Sequence, residues 1–123
     1  MKVVLSIKPE FAFKIFDGTK RYEFRKSIFK NKKVQTVLVY ASSPVQRVIG
    51  EFQIKRIINH DIHTLWHLTQ DFSGISEDYF FKYFEDKIQG YAIEINTPLR
   101  YDIPKNLKTE YNLLPPQSFA YFL

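Results

Sequence analysis

The sequence contains no cysteine and no long hydrophobic run. Without cysteine the chain has no disulfide, no thiol nucleophile and no cysteine-ligated zinc site. Its apolar runs fall well short of the roughly 20 residues that a membrane-spanning helix needs. The apolar part of residues 1–8 is also too short for a signal peptide. These absences predict a cytoplasmic protein that makes no contact with membranes.

Aromatic residues and positive charge are both abundant. The 12 Phe and 8 Tyr can fill a core with rings and still leave tyrosine hydroxyls for polar contacts. The 18 Lys and Arg outnumber the 13 Asp and Glu, which gives a formal net charge of +5. That charge favours encounter with an anionic partner such as nucleic acid. The length predicts one domain spanning residues 1–123, with a substantial core.

One segment concentrates charged side chains: residues 18–25, Gly-Thr-Lys-Arg-Tyr-Glu-Phe-Arg. Gly18 can adopt the left-handed conformation that ends a helix, and an extended strand is expected after it. Because side chains alternate along a strand, Glu23 and Arg25 share one face while the aromatic residues on either side of Glu23 turn inward. Lys20 is expected at the rim of that face. Such a cluster can hold a polar ligand in a concave site, or it can be a solvated strand face of alternating charge.

The predicted order of elements is strand, helix, two or three strands, two helices and two strands. Short connections between most strands favour an α+β fold over a doubly wound sheet. We therefore expect a mixed β-barrel of about five or six strands with about three helices. Strands are predicted at residues 3–7, 21–26, 34–41, 45–58, 91–96 and 99–103. Helices are predicted to begin at Pro9, after Asp61 and after Ser76, where the last two residues act as N-caps.

Several positions carry more specific expectations. Gly50 interrupts the longest strand and is expected to mark a bulge or a close approach of another backbone. Thr97-Pro98 is expected to break the last strand, so that residues 99–103 form an edge segment followed by a loop. The helix after Ser76 is expected to bury one apolar face. That face consists of Phe80, Phe81, Phe84 and Ile88.

The histidines and serines offer weaker alternatives. His63 and His67 lie four residues apart on a predicted helix, which is the spacing of two metal ligands. No glutamate follows His63 as in a helical zinc-hydrolase motif, so surface histidines are the better interpretation. No serine stands in a Gly-x-Ser-x-Gly elbow, which argues against a serine hydrolase. The sequence therefore predicts no metal site and no cofactor.

Several motifs occur in an order and spacing typical of one family. They are Leu5-Ser6-Ile7-Lys8-Pro9, Gly18-x-Lys20-x-x-Glu23-x-Arg25, Tyr40-Ala41-Ser42-Ser43-Pro44, Gly50, Gly90-Tyr91-Ala92-Ile93 and Pro115-Pro116-Gln117-Ser118-Phe119. In these motifs the chain resembles the ASCH domains, which are members of the PUA-like superfamily. The resemblance covers essentially the whole chain, and the element with Lys20, Glu23 and Arg25 is its most specific part.

The resemblance implies a PUA-like barrel with a cleft at one end, lined by Lys20, Glu23 and Arg25. Clefts of this superfamily are associated with RNA, modified bases or nucleosides. Some small relatives are amidohydrolases of N4-acetylcytosine nucleosides, and ribonuclease activity has been attributed to others. In the amidohydrolases the lysine acts with a threonine three positions later and with a distant glutamate. Here Glu23 fills the threonine position, and residues 71–74 offer no counterpart to the distant glutamate.

The expected ligand is RNA or a modified nucleotide or nucleoside. Lys20 and Arg25 are suited to a phosphate or a base carbonyl, and Glu23 to an exocyclic amine. Phe24, Tyr40 and Phe119 are candidates for stacking a base. The full set of expected ligand-binding residues is Ser6, Lys8, Lys20, Glu23, Arg25, Tyr40, Ser42, Ser118 and Phe119.

Three functions remain open at this point. The first is binding of RNA or a nucleotide. The second is a nucleoside amidohydrolase or a ribonuclease, in which Lys20 is the base and Glu23 its partner. The third is a non-catalytic interaction scaffold, in which Glu23 and Arg25 form a structural ion pair. A lysine beside a carboxylate is stabilised in its charged form, which favours binding over catalysis.

Overall fold

The β-branched and aromatic runs of the sequence form six strands in the computed structural model, which describes residues 1–122. The strands are β1 (Lys2–Ile7), β2 (Tyr22–Arg25), β3 (Thr36–Ala41), β4 (Arg47–Asp61), β5 (Gln89–Lys105) and β6 (Phe119–Phe122). The helices are α1 (Pro9–Asp17), α2 (Ile62–Thr69), α3 (Glu77–Tyr83) and α4 (Leu107–Tyr111), with a 3-10 turn at Gln70–Phe72. The expected α+β class and strand number are confirmed.

The strands form one mixed sheet in the order β2-β5-β4-β3-β1-β6. β1 and β3 run parallel, and the other neighbouring pairs are antiparallel. The expectation of a closed barrel is wrong, because β2 and β6 remain the two edges of the sheet in residues 1–122. Both edge strands are only four residues long. No ladder of backbone hydrogen bonds joins them within residues 1–122; instead, the Arg25 side chain of β2 donates to the Ser118 carbonyl, directly before β6.

Strand β4 is irregular at Gly50, where the sequence predicted a bulge or a close backbone approach. Gly50 lies at shifts of pairing register, and a Cβ added there would lie 2.5 Å from the Leu99 carbonyl and from the Phe16 ring. The predicted bulge and close approach are therefore both confirmed.

The predicted break at Thr97-Pro98 is wrong. β5 continues through it, because these two residues lie opposite Phe52 alone, at a register shift against β4. A bulge leaves one residue out of the ladder, so proline's missing N–H disturbs no pairing there.

The loop expected after Pro104 is also interrupted, by the short helix α4. The Asn106 side chain caps this helix by accepting hydrogen bonds from the N–H groups of Lys108 and Thr109, at 2.9 and 3.0 Å. At the other end Asn112 adopts the left-handed conformation, with φ 55°. Asparagine is a known cap residue at both ends of a helix, and the sequence interpretation did not use these two. Residues 1–122 therefore contain four α-helices where about three were predicted.

The other helix signals were interpreted correctly, with one exception. Pro9 begins α1, the Asp61 side chain accepts from the Thr64 N–H to cap α2, and the Ser76 hydroxyl accepts from the Tyr79 N–H to cap α3. α3, however, ends at Tyr83, so Ile88 lies beyond it and is 86% exposed instead of buried.

Two core clusters leave room for a site between them. One packs α1 against the central strands around Ile15, Val39 and Phe52. The other packs α2 and α3 against β2 and β5 around Phe24 and Phe80. Within residues 1–122, none of the helices is long and apolar enough to cross a membrane.

Candidate functional site

A cleft of about 240 Å³ opens where the ends of β1 and β2 meet α1 and α3. Its polar lining consists of Ser6, Lys8, Lys20, Glu23, Arg25 and Gln117. Its aromatic lining consists of Phe11, Phe24, Tyr79 and Tyr83. Three of the four charged residues of the 18–25 segment, Lys20, Glu23 and Arg25, thus face one hollow.

Lys20 forms the floor of this cleft. The chain reverses at Gly18, which has a φ of 87° and ends α1, and the Lys20 N–H then donates to the Lys14 carbonyl at 3.0 Å. The aliphatic stem of Lys20 packs against Gly74, where an added Cβ would lie 2.5 Å from the Lys20 Cβ. Its ammonium donates to the Ser73 carbonyl at 2.8 Å. Lys20 is only 2% exposed, so its expected place at the rim is wrong, because residues 73 and 74 cover it.

Burial changes the acidity of this lysine. Loss of hydration lowers the pKa of Lys20 from 10.5 to about 8, although the nearby Glu23 carboxylate opposes the change and Lys14 slightly reinforces it. The ammonium is 4.9 Å from the centroid of the Phe24 ring and 5.6 Å from that of Phe11. Aromatic faces therefore replace part of the water that a charged amine would otherwise have. The amine can lose its proton close to neutral pH.

Glu23 supplies the acceptor of the floor. It is 6% exposed, and its Oε2 accepts from Arg25 Nη1 at 3.1 Å. Its Oε1 lies 4.0 Å from Lys20 Nζ, which is beyond hydrogen-bond distance. Within residues 1–122, Oε1 has no hydrogen-bond donor and Lys20 uses one of its three donors. The floor therefore presents a donor and an acceptor with unused capacity, side by side.

Arg25 has a different role from Lys20 and Glu23. Besides Glu23, its guanidinium donates to the Ser6 carbonyl at 3.3 Å and to the Ser118 carbonyl and hydroxyl at 2.9 and 3.1 Å. Ser6 belongs to β1, and Ser118 directly precedes β6. Four protein acceptors thus occupy the guanidinium, and they tie the edge strand β2 to the opposite edge of the sheet.

The other expected site residues divide into two groups. Ser6 lines the cleft, but its hydroxyl donates to the Pro116 carbonyl at 2.6 Å. Lys8 is exposed at the mouth and donates to the Tyr79 hydroxyl at 3.2 Å. Ser118 reaches the cleft only through Arg25.

Besides Ser118, three more expected residues lie away from the cleft lining. Tyr40 is 4% exposed and packs in a separate core cluster with Leu38 and Leu107. Ser42 follows β3, where its N–H donates to the Ile7 carbonyl at 3.0 Å. The Phe119 ring packs edge-on against Phe29, with 5.9 Å between the ring centroids.

The sequence interpretation missed the α3 wall and the loop before it. Tyr79 and Tyr83 are four residues apart, so they share a helix face, which is the signal that could have identified them. Phe11 of α1 also lines the cleft, and it was not among the expected site residues. Ser73 and Gly74 carry no pattern that connects them with Lys20.

The histidine pair lies outside the cleft. His63 and His67 are both exposed, as expected, and the His63 ring lies 5.2 Å from that of Phe81. Among residues 1–122 no three His, Cys, Asp or Glu side chains are grouped so that they could hold a metal ion.

Comparison with known proteins gives consistent matches. The family model of the ASCH domain matches residues 5–99. An "ASCH domain-containing ribonuclease" of Zymomonas mobilis is 32% identical, over 98% of this chain and 83% of that protein. The crystal structure of ASCH from Zymomonas mobilis superposes with a TM-score of 0.91 at 32% identity, covering 99% of this chain and 87% of that one.

The same stretch also matches part of longer proteins. The large ribosomal subunit protein uL22 of Ureaplasma parvum is 30% identical over 97% of this chain, which spans only 38% of that protein. The ATP synthase subunit alpha of Ureaplasma parvum is 31% identical over 97% of this chain, which spans 15% of that subunit.

Proposed function

Since this chain belongs to the ASCH domain family, as the match over residues 5–99 and the 32% identity to the Zymomonas protein show, we propose that it binds RNA by holding one nucleotide in the cleft over Lys20. The name of that relative, a ribonuclease, supports RNA as the ligand. The net charge of +5 favours approach of a polyanion.

The observation on which the proposal depends is the unused hydrogen-bonding capacity of two buried groups. Both groups border the open cleft, so a ligand that completes their hydrogen bonds would gain charge-assisted contacts in place of water. Every nucleobase places a hydrogen-bond donor beside an acceptor along its pairing edge. The Lys20 ammonium would donate to that acceptor, and the Glu23 Oε1 would accept from that donor.

The size and walls of the cleft suit a single base. Its volume of about 240 Å³ is below the ~300 Å³ at which sites for drug-sized ligands begin. The rings of Phe11 and Tyr79, 5.1 Å apart and nearly perpendicular, form one wall, with Tyr83 further along α3. Aromatic walls favour flat bases, whatever their identity.

Binding is tested with a labelled RNA of about five nucleotides and randomised sequence. Each charged hydrogen bond lost should cost about 1.5–3 kcal/mol, so Lys20→Met and Glu23→Gln should each weaken binding about 10- to 100-fold. Lys108→Met, at an exposed lysine of α4 outside the cleft lining, is the matched control and should bind like the wild type. Absence of binding by the wild type, or equal binding by all four proteins, would overturn the proposal.

RNA cleavage is a second candidate, favoured by the lowered pKa of Lys20. With a pKa of about 8, roughly a tenth of the amine is free at neutral pH. The free amine would take the proton of a ribose 2′-hydroxyl while the 2′ oxygen bonds to the adjacent phosphorus. The bond from phosphorus to the 5′ oxygen would then break, and water would supply the proton of the new 5′-hydroxyl.

The products of this reaction distinguish cleavage from binding. The same RNA should yield 2′,3′-cyclic phosphate ends at a rate that rises with pH and levels above about 8. Lys20→Met should abolish the rate, and the all-DNA analogue should not be cut. Uncut RNA, or a rate that survives Lys20→Met, would leave binding as the only function proposed.

A further inference from the structure

We propose that Lys8 and Lys26 bind the two phosphates that flank the nucleotide in the cleft, so that the ligand is an internal nucleotide of a single RNA strand. This inference rests on the proposed RNA binding and adds two phosphate subsites to it. A free nucleoside would leave both lysines unused, and a mononucleotide would use only one.

The cations inside the cleft are poorly placed for a phosphate. Arg25 already donates to four protein acceptors. Lys20 lies on the floor, only 4.0 Å from the Glu23 carboxylate. A phosphate at that depth would meet the negative charge of Glu23 in a site from which water is largely removed. A phosphate that is bound without being cleaved is therefore held better by cations nearer the surface.

Lys8 offers such a cation at one end of the α3 wall. It is exposed, lines the mouth of the cleft, and places its ammonium 3.2 Å from the Tyr79 hydroxyl and 5.4 Å from the centre of that ring. No acidic side chain in residues 1–122 forms a salt bridge with it. Its positive charge is therefore directed to solvent at the edge of the cleft.

Lys26 offers the second cation, one residue beyond Arg25. Its ammonium lies 5.1 Å from the centre of the Tyr83 ring and 3.6 Å from the Asp86 carboxylate. The Lys26 and Asp86 side chains are 40% and 65% exposed, and an ion pair so exposed to water contributes little. Lys26 can therefore exchange Asp86 for a phosphate at small cost.

The spacing of the two lysines follows from α3. Tyr79 and Tyr83 are one helical turn apart, with about 5–6 Å between their Cβ atoms. Each tyrosine has one lysine over its ring. Lys8 lines the cleft and Lys26 lies beside Tyr83 just outside the lining, so the two ammonium groups accompany successive turns of α3. A nucleotide inside a strand has one phosphate on its 5′ side and one on its 3′ side. A base in the cleft would thus direct its two phosphates toward the two lysines.

The experiment measures how salt weakens binding of the labelled five-nucleotide RNA. Each phosphate contact to a single strand contributes a slope of about −0.7 in log K against log salt, so a fourfold rise in salt weakens binding about 2.6-fold per contact and about 7-fold for two. Lys8→Gln and Lys26→Gln should each remove one factor of about 2.6, and the double variant should remove both. Nucleoside 5′-monophosphates should bind more weakly than the RNA.

Controls separate this inference from the proposed function. Lys8→Arg with Lys26→Arg keeps both charges and should keep the salt dependence, and Lys108→Gln should leave it unchanged. If the double glutamine variant shows the salt dependence of Lys108→Gln, or if monophosphates bind as tightly as the RNA, the phosphate subsites are refuted. RNA binding that still requires Lys20 would in that case leave the proposed function standing. Absence of RNA binding by the wild type would refute both.

Discussion

Replacing Lys20 with methionine should change how the stability of this protein depends on pH. Lys20 has a pKa of about 8 in the folded chain and 10.5 as its ordinary value. Below about pH 8 the amine is charged in both states, so folding has to bury a charge. Between about pH 8 and pH 10.5 the folded chain has released the proton that the unfolded chain retains, so the free energy of unfolding rises with pH. Above pH 10.5 the rise ends.

The size of this effect follows from the two pKa values. Their separation corresponds to about 3 kcal/mol of unfolding free energy, and Lys20 is buried enough for solvent screening to be small. Methionine has a similar length and no charge, so the variant lacks the rise. The stability of Lys20→Met relative to wild type should thus fall by about 3 kcal/mol from neutral pH to above pH 10.5. Loss of the bond to the Ser73 carbonyl costs about 1–3 kcal/mol at every pH and leaves the slope unchanged.

Urea unfolding followed by tryptophan fluorescence measures this difference. Trp66 is the single tryptophan of the sequence and packs against Phe80, with ring centroids 4.9 Å apart, so it reports on the core beside the site. Lys108→Met serves as the control and should follow the wild-type profile. Parallel pH profiles for Lys20→Met and wild type would refute the argument that burial of Lys20 opposes its charge.

Two further substitutions test how the site is held. Arg25→Ala should lower the free energy of unfolding by about 3–5 kcal/mol in urea denaturation, because Glu23 stays buried without its partner; a loss below about 1 kcal/mol would contradict the bridging role. Gly74→Ala should cost about 1–2 kcal/mol, because its φ of 71° is strained for alanine, and should weaken RNA binding by displacing the stem of Lys20. Unchanged RNA affinity in Gly74→Ala would show that Lys20 keeps its place without that glycine.

Local patterns in the sequence predicted the parts of the site that depend on neighbouring residues. Strand alternation placed Glu23 and Arg25 on one side, and the structure brings them within 3.1 Å. The reversal at Gly18 was read from glycine's freedom to adopt positive φ, which is 87° there. The depth of Lys20 could not be predicted in this way, because it depends on Ser73 and Gly74, more than 50 positions along the chain.

The limits of the fold prediction have the same origin. Alternation and turn residues indicate where strands lie, but whether the first and last strands of a sheet pair depends on its overall curvature. The aromatic surface of α3 posed a similar problem, since both of its faces carry rings. Phe80 and Phe84 face the core, whereas Tyr79 and Tyr83 face the cleft. Only the packing of the whole helix decides between the two faces.

The open sheet also bears on the choice between a non-catalytic scaffold and a ligand-binding site, which the sequence left open. The scaffold interpretation required Glu23 and Arg25 to be engaged with each other. Arg25 does donate to Glu23, and its other hydrogen bonds bridge the two edges that a barrel would have paired directly. That bridge holds Oε2 of Glu23 and leaves Oε1 facing the hollow beside Lys20. The charged residues of the 18–25 segment therefore have different roles. Arg25 maintains the fold and orients the carboxylate, while Glu23 and Lys20 keep unused hydrogen-bonding capacity at the floor of the cleft. A purely structural ion pair would leave no reason to bury a lysine whose ammonium has a single hydrogen bond.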